Sequence, residues 1–233
     1  MSPRFGLAIG AGIMSADKRR RALIFDFDGL ILDTETAEVE IWTEIYAQYG
    51  MTFDMEAYQG VIGSSGARSF DPAQPLADRE GETRSVAEIR KDFRQTALRY
   101  CEKLDPMEGA AELILGAKAD GYLVAIGSSA AQWWLETHLT RLGLIDEFDT
   151  IVSSEDVENT KPQPDIFLMV LENLNISPEN ALVLEDSNNG VLAAHRAGIR
   201  AIAVPNPITK EQDFSLATAV VPSLAHFNPD LYF

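Results

Sequence analysis

Ala22-Leu23-Ile24-Phe25-Asp26-Phe27-Asp28-Gly29 is an apolar run that ends abruptly in two carboxylates, one residue apart, and a glycine. Its strand part, Ala22–Asp26, shows no alternation of polar and apolar residues, which is the pattern of a strand buried on both faces of a sheet. Four further short runs read the same way: Leu123–Gly127, Thr150–Ser153, Ala181–Glu185 and Ala201–Val204. Helical spacing separates the last four, at Ala131–Leu142, Pro164–Asn173 and Gly190–Ala197, with Gly143 and Gly198 placed as helix C-caps. Strands alternating with helices predict an α/β fold, a Rossmann-like parallel sheet covered by helices.

The first two strands are too far apart for one crossover, which needs little more than a dozen residues. The intervening chain contains helical patterns at Glu35–Tyr49 and Val86–Cys101, and Met107–Ala119 leads back into the sheet. Gly60 to Thr83 is rich in Gly, Ser, Pro and Asp and has little periodicity. The expected organisation is a catalytic core of residues 21–34 and 106–233, with an α-helical cap domain inserted at 35–105. Residues 1–20 read as a disordered extension. Their apolar stretch precedes the positive residues Lys18 to Arg21, the reverse of a secretory signal.

Composition narrows the function. The 233 residues are 46% apolar and 24% charged, with 19 Lys+Arg against 36 Asp+Glu, so the net charge is 19 − 36 = −17. Such a chain folds around a core but repels nucleic-acid phosphates. It holds no run of about 20 apolar residues, so no transmembrane helix is expected. The lone Cys101 forms neither an internal disulfide nor a cysteine zinc site and suits a reducing, cytoplasmic compartment. A monomer is the default expectation.

In an open α/β sheet, ligands bind at the C-terminal ends of the strands. Asp26 and Asp28 stand at the end of the first strand, and Glu185-Asp186, followed by Ser187-Asn188-Asn189-Gly190, at the end of the fourth. Acidic groups meeting from two strand ends suggest a hard, oxygen-liganded cation such as Mg²⁺. Gly127-Ser128-Ser129 follows the second strand and offers hydroxyl and N–H donors to an anion, while Lys161, before Pro162, brings an ammonium into reach. Taken singly, the serine would be an N-cap and the lysine a solvated side chain.

In their order, Asp26-x-Asp28-Gly29, Ser128, Lys161-Pro162 and Glu185-Asp186-Ser187-x-x-Gly190 resemble the four motifs of the haloacid dehalogenase superfamily. The wording from Phe25 to Glu35 is similar to the β-phosphoglucomutase-like phosphatase branch, and the likeness runs from Arg21 to about Pro207. The resemblance implies a Mg²⁺-dependent phosphatase of a small phosphorylated metabolite, a sugar phosphate being one candidate. Asp26 would be the nucleophile, forming an aspartyl-phosphate, and Asp28 the acid and base. Mg²⁺ would be held by Asp26, the Asp28 carbonyl and Asp186, with Glu185 as a ligand or an orienter. Ser128, Ser129 and Lys161 would bind the phosphoryl group.

Two alternatives stand beside this reading. The mutases of the branch carry a histidine in the first cap helix, and Thr36-Ala37-Glu38-Val39-Glu40 contains none, which favours hydrolysis over a phosphomutase. A regulatory relative that kept the fold and lost activity is the other, although the full set of charged motif residues argues against it. In the cap, Glu35 and Arg68 are candidate substrate contacts. Glu35 also suits a helix N-terminus and Arg68 an ordinary surface. Trp133-Trp134 reads as helix packing, and His138, His195 and His226 receive no catalytic role.

Overall fold

The computed structural model describes residues 21–63, 70–79 and 81–233; the expected extension at 1–20 and Arg68 lie outside the described residues. The chain runs from β1 (Ala22–Phe25) through α1 (Thr34–Gln48), α2 (Met55–Gln59), α3 (Gln74–Ala77) and α4 (Val86–Cys101). Then α5 (Ala110–Asp120) returns it to β2 (Leu123–Gly127). Strands and helices alternate from there: α6 (Gln132–Leu142), β3 (Thr150–Val152), α7 (Asp165–Leu174), β4 (Ala181–Glu185), α8 (Asn188–Arg196), β5 (Arg200–Ala203) and a two-residue β6 (Ala219–Val220).

The strands form one parallel sheet in the order β3-β2-β1-β4-β5-β6. Alternate residues of each strand divide between two cores. Leu23, Phe25, Val124, Ile126, Leu182 and Leu184 join residues of α5 and α6 on one face. Ala22, Ile24, Ala125, Val152, Ala181 and Val183 join residues of α7 and α8 on the other. Both faces are dry, which is why the strand sequences are continuous apolar runs. Each large side chain so buried, Ile24 or Phe25 for example, contributes about 1.5–3 kcal/mol. β6 escaped the sequence reading because two residues carry no period, and α2 and α3 are likewise too short to show one.

The helical region between β1 and α5 has a core of its own, built from Ile41, Trp42, Tyr46, Phe53, Tyr58, Leu76, Ile89 and Phe93. The Trp42 and Phe93 rings stack at 4.2 Å. Three of its helices begin on side-chain caps: Asp33 accepts from the Thr36 N–H, Asp54 from the Ala57 N–H, and Ser85 forms a capping box with Glu88. This region sits on the sheet domain through short polar contacts: Asn189 Nδ2 donates to Ile62 O at 2.7 Å and Ser129 Oγ to Gly63 O at 3.1 Å. The C-terminal segment packs on the first sheet core through Leu224, Phe227 and the Tyr122–Phe233 ring contact, while Leu231 points outward. No described helix is long and apolar enough to cross a membrane.

Candidate active site

The chain order reverses between β1 and β4, with β2 and β3 to one side and β5 and β6 to the other. Loops diverge at such a switch and leave a crevice at the carboxyl ends of the strands. Asp26 follows β1 directly, Glu185 closes β4 and Asp186 comes next. These three carboxylates are buried, and their oxygens approach within 4.8 Å of one another.

Lys161 lies among them with 1% of its surface exposed. Its Nζ is 2.8 Å from Asp26 Oδ1 and 2.6 Å from Glu185 Oε1. Burial opposes the lysine's charge, but Asp26 and Glu185 outweigh it and raise the Lys161 pKa above the ordinary value. The second oxygen of Glu185 accepts from both the N–H and the Oγ of Ser187, each at 2.9 Å. Glu185 is therefore held on both sides, and a Cβ at Gly190 would collide with its carboxylate. Asp186 accepts from Asn206 Nδ2 at 2.8 Å, and the same amide reaches Gly29 O at 3.2 Å. Gly29 has φ +74°, and a side chain there would strike Asp186 and Asn206, so only glycine lets the β1 and β4 loops close together.

Three carboxylates against one ammonium leave an excess of negative charge. Burial, then Glu185, Glu35 and Asp26, raise the Asp186 pKa well above the usual carboxylate range. A hard divalent cation among these oxygens would remove that penalty, and the donor set, all carboxylate oxygen, fits one.

Asp28 takes a different environment. Its Oδ1 accepts from Thr34 Oγ1 at 2.8 Å and from the Trp134 indole N–H at 2.9 Å. Burial, then the neighbouring Asp26, push its pKa up to about 7 against the opposing effect of those two hydrogen bonds. Two carboxylates a residue apart thus have distinct surroundings, one tethered to a cation and the other held by neutral donors.

A cavity of about 620 Å³ opens beside them between the sheet domain and the helical region. Asp26, Asp28, Glu35, Ser128 and Ser129 all line it. Lys161, Glu185 and Asp186 are buried beside Asp26 and do not. Ser128 donates its N–H to Val152 O and accepts from the Ala130 N–H, which leaves its hydroxyl hydrogen available. The Ser129 hydroxyl donates to Gly63 O at 3.1 Å. Asn188 and Asn189 brace loops, bonding Gln212 and Ile62.

The comparisons with known proteins agree with this geometry. Residues 23–204 match the haloacid dehalogenase-like hydrolase family. The chain belongs to that family. YhcW of Bacillus subtilis, named as a phosphatase, is 38% identical over 81% of this chain and 85% of its own length. The phosphorylated carbohydrates phosphatase of Thermotoga maritima is 32% identical over 78% of this chain and 83% of its own. The crystal structure of CbbY from Rhodobacter sphaeroides in complex with phosphate superposes with a TM-score of 0.72 at 27% identity, covering 88% of this chain and 95% of that one. A β-phosphoglucomutase from Clostridium difficile, at 24% identity and a TM-score of 0.74, shares the fold over 91% of this chain and 94% of its own. This haloacid dehalogenase-like hydrolase is a phosphatase, and its core is the Rossmann-like sheet with a helical cap.

Sequence reasoning missed three residues of the site. Asn206 lies beyond the last motif, and Thr34 is a helix start like many others. Trp134 looked like packing, and it does pack against the first sheet core, yet its polar edge also reaches Asp28. The signal available was the general rule that a buried indole N–H needs an acceptor.

Proposed function

We propose that the protein hydrolyses a phosphate monoester of a small polyhydroxylated metabolite, such as a sugar phosphate, through an aspartyl-phosphate on Asp26. The observation that carries this is the pair of dissimilar carboxylates, Asp26 beside Lys161 and Asp28 on Thr34 and Trp134, facing one cavity. Asp26 attacks phosphorus while the bond to the leaving oxygen breaks, and Asp28 gives that oxygen its proton. Asp28 then takes a proton from the water that attacks the acyl phosphate, which frees Asp26 and inorganic phosphate. Lys161 and the Ser128 hydroxyl offset the charge on the phosphoryl oxygens.

Asp26, Asp186 and the Asp28 carbonyl are the groups that would hold Mg²⁺, with Glu185 orienting Lys161 and Ser187. Bound there, the metal supplies positive charge that lets a carboxylate approach a phosphate. Sugar phosphates are favoured because relatives include the Thermotoga maritima enzyme and a fructose-1-phosphate phosphatase of Escherichia coli, 29% identical over 80% of this chain and 97% of its own. The reading carries with it a cytoplasmic monomer; burial pushes the Cys101 thiol up to about 12, an unreactive group.

The test measures phosphate release from p-nitrophenyl phosphate and a panel of phosphorylated metabolites, with Mg²⁺ or with EDTA. Activity is expected only with the metal, and Asp26→Asn should abolish it while leaving the circular dichroism unchanged. Full activity in Asp26→Asn would sink the nucleophile assignment.

A further inference from the structure

The cap wall of the cavity holds a carboxylate that the mechanism above does not use. Glu38 lies on α1 four residues after Thr34, so the two side chains share one face of the helix. Thr34 Oγ1 already reaches Asp28 at 2.8 Å, which aims that face at the group placed to protonate the leaving oxygen. Glu38 and Asp28 line the same cavity. Tyr58, 3% exposed on α2, donates its hydroxyl to Glu38 Oε2 at 2.5 Å and fixes the carboxylate in place. The other oxygen, Oε1, has no hydrogen-bond partner among the described residues.

We infer that Glu38, set by Tyr58, selects the leaving group: it accepts a hydroxyl on the carbon next to the phosphoester and rejects substrates that carry a carboxylate there. The inference rests on the phosphatase reading of the preceding section. An ionised carboxylate only accepts hydrogen bonds, so a hydroxyl pairs with it and a second carboxylate meets bare repulsion in a cleft partly closed to water. Asp71, also on the cavity wall, is paired with Arg90 at 2.6 Å. Arg94 also lines the cavity, exposed on α4. If Arg94 rather than Glu38 governed the leaving group, the preference would run the other way. Discrimination of this kind combines an attraction for one substrate with a repulsion against the other.

The experiment compares kcat/KM for sorbitol 6-phosphate and for 2-phosphoglycolate in the Mg²⁺-loaded full-length protein and in Glu38→Gln. The wild type should prefer sorbitol 6-phosphate, and the ratio should fall at least fivefold in the variant. A wild-type preference for phosphoglycolate, or a smaller fall, overturns the inference. If Glu38→Gln does not fold, Tyr58→Phe is judged by the same ratio and threshold. Release of p-nitrophenol by the wild type and its loss in Asp26→Asn test the underlying reading separately. An unmoved ratio beside intact aryl phosphatase activity therefore counts against Glu38 alone.

Discussion

Replacing Lys161 by methionine tests the electrostatic account of the site most directly. The two side chains have similar volume, so packing against Phe167, whose ring lies 5.0 Å from the lysine Nζ, is kept while the charge is lost. What remains is Asp26 and Glu185, previously 2.8 and 2.6 Å from one ammonium, facing each other and Asp186 in a buried site. Removing one partner of a buried ion pair costs about 3–5 kcal/mol. At roughly 2–4 °C per kcal/mol for a chain of this size, the melting temperature should drop by roughly 6–20 °C. The sign with pH follows from the carboxyls. A group whose folded pKa lies above its unfolded value of about 4 adds no penalty below that pH and an increasing one as pH rises through the folded value. The deficit of Lys161→Met in EDTA should therefore be large at pH 7.5 and small at pH 4.5. Mg²⁺ should restore part of the lost stability at pH 7.5, since an ion that binds only the folded state stabilises it by mass action. Thermal unfolding followed by circular dichroism at the two pH values, with and without Mg²⁺, reads all of this. A variant as stable as the wild type at pH 7.5 in EDTA would refute the reasoning.

Two further outcomes concern α6. Trp134→Phe removes one N–H from a carboxylate, worth about 1.5–3 kcal/mol, and if that bond holds Asp28 in its working position kcat should fall roughly ten- to a hundredfold; steady-state kinetics with KM within threefold of wild type checks it. His138 is fully buried with neither ring nitrogen hydrogen-bonded among the described residues, and burial, then Arg141, lowers its pKa to about 4. Its unfolded form takes a proton near pH 6.5, so stability should be lost as pH falls from 6.5 to 4. Denaturant titrations of His138→Phe should show that slope diminished by up to about 3 kcal/mol across the window; an identical slope in both proteins would clear His138 of the effect.

Much of the fold was legible because a parallel strand buried on two faces leaves a continuous apolar run, and β1 to β5 fell within one residue of their expected places. The helices α1 and α4 were legible from their period. The polar members of the site were harder. Trp134 stands 106 residues from Asp28, and Asn206 stands 177 from Gly29. Neither separation has any local signature, because both contacts exist only where the loops of β1 meet chain that returns from elsewhere. Glu38 and Tyr58 are ordinary helix residues until the cap folds α2 against α1.

By itself the sequence determined the order of β1 to β5 and of the longer helices, the inserted cap and the acidic and basic groups at the strand ends. Period and motif are local properties, written residue by residue. Only the tertiary structure decided that Asp26 sits beside Lys161 while Asp28 rests on neutral donors, and that Ser129 is engaged with Gly63. Those outcomes depend on which buried groups come within hydrogen-bonding reach, and a distance of 3 Å between remote residues is fixed by packing.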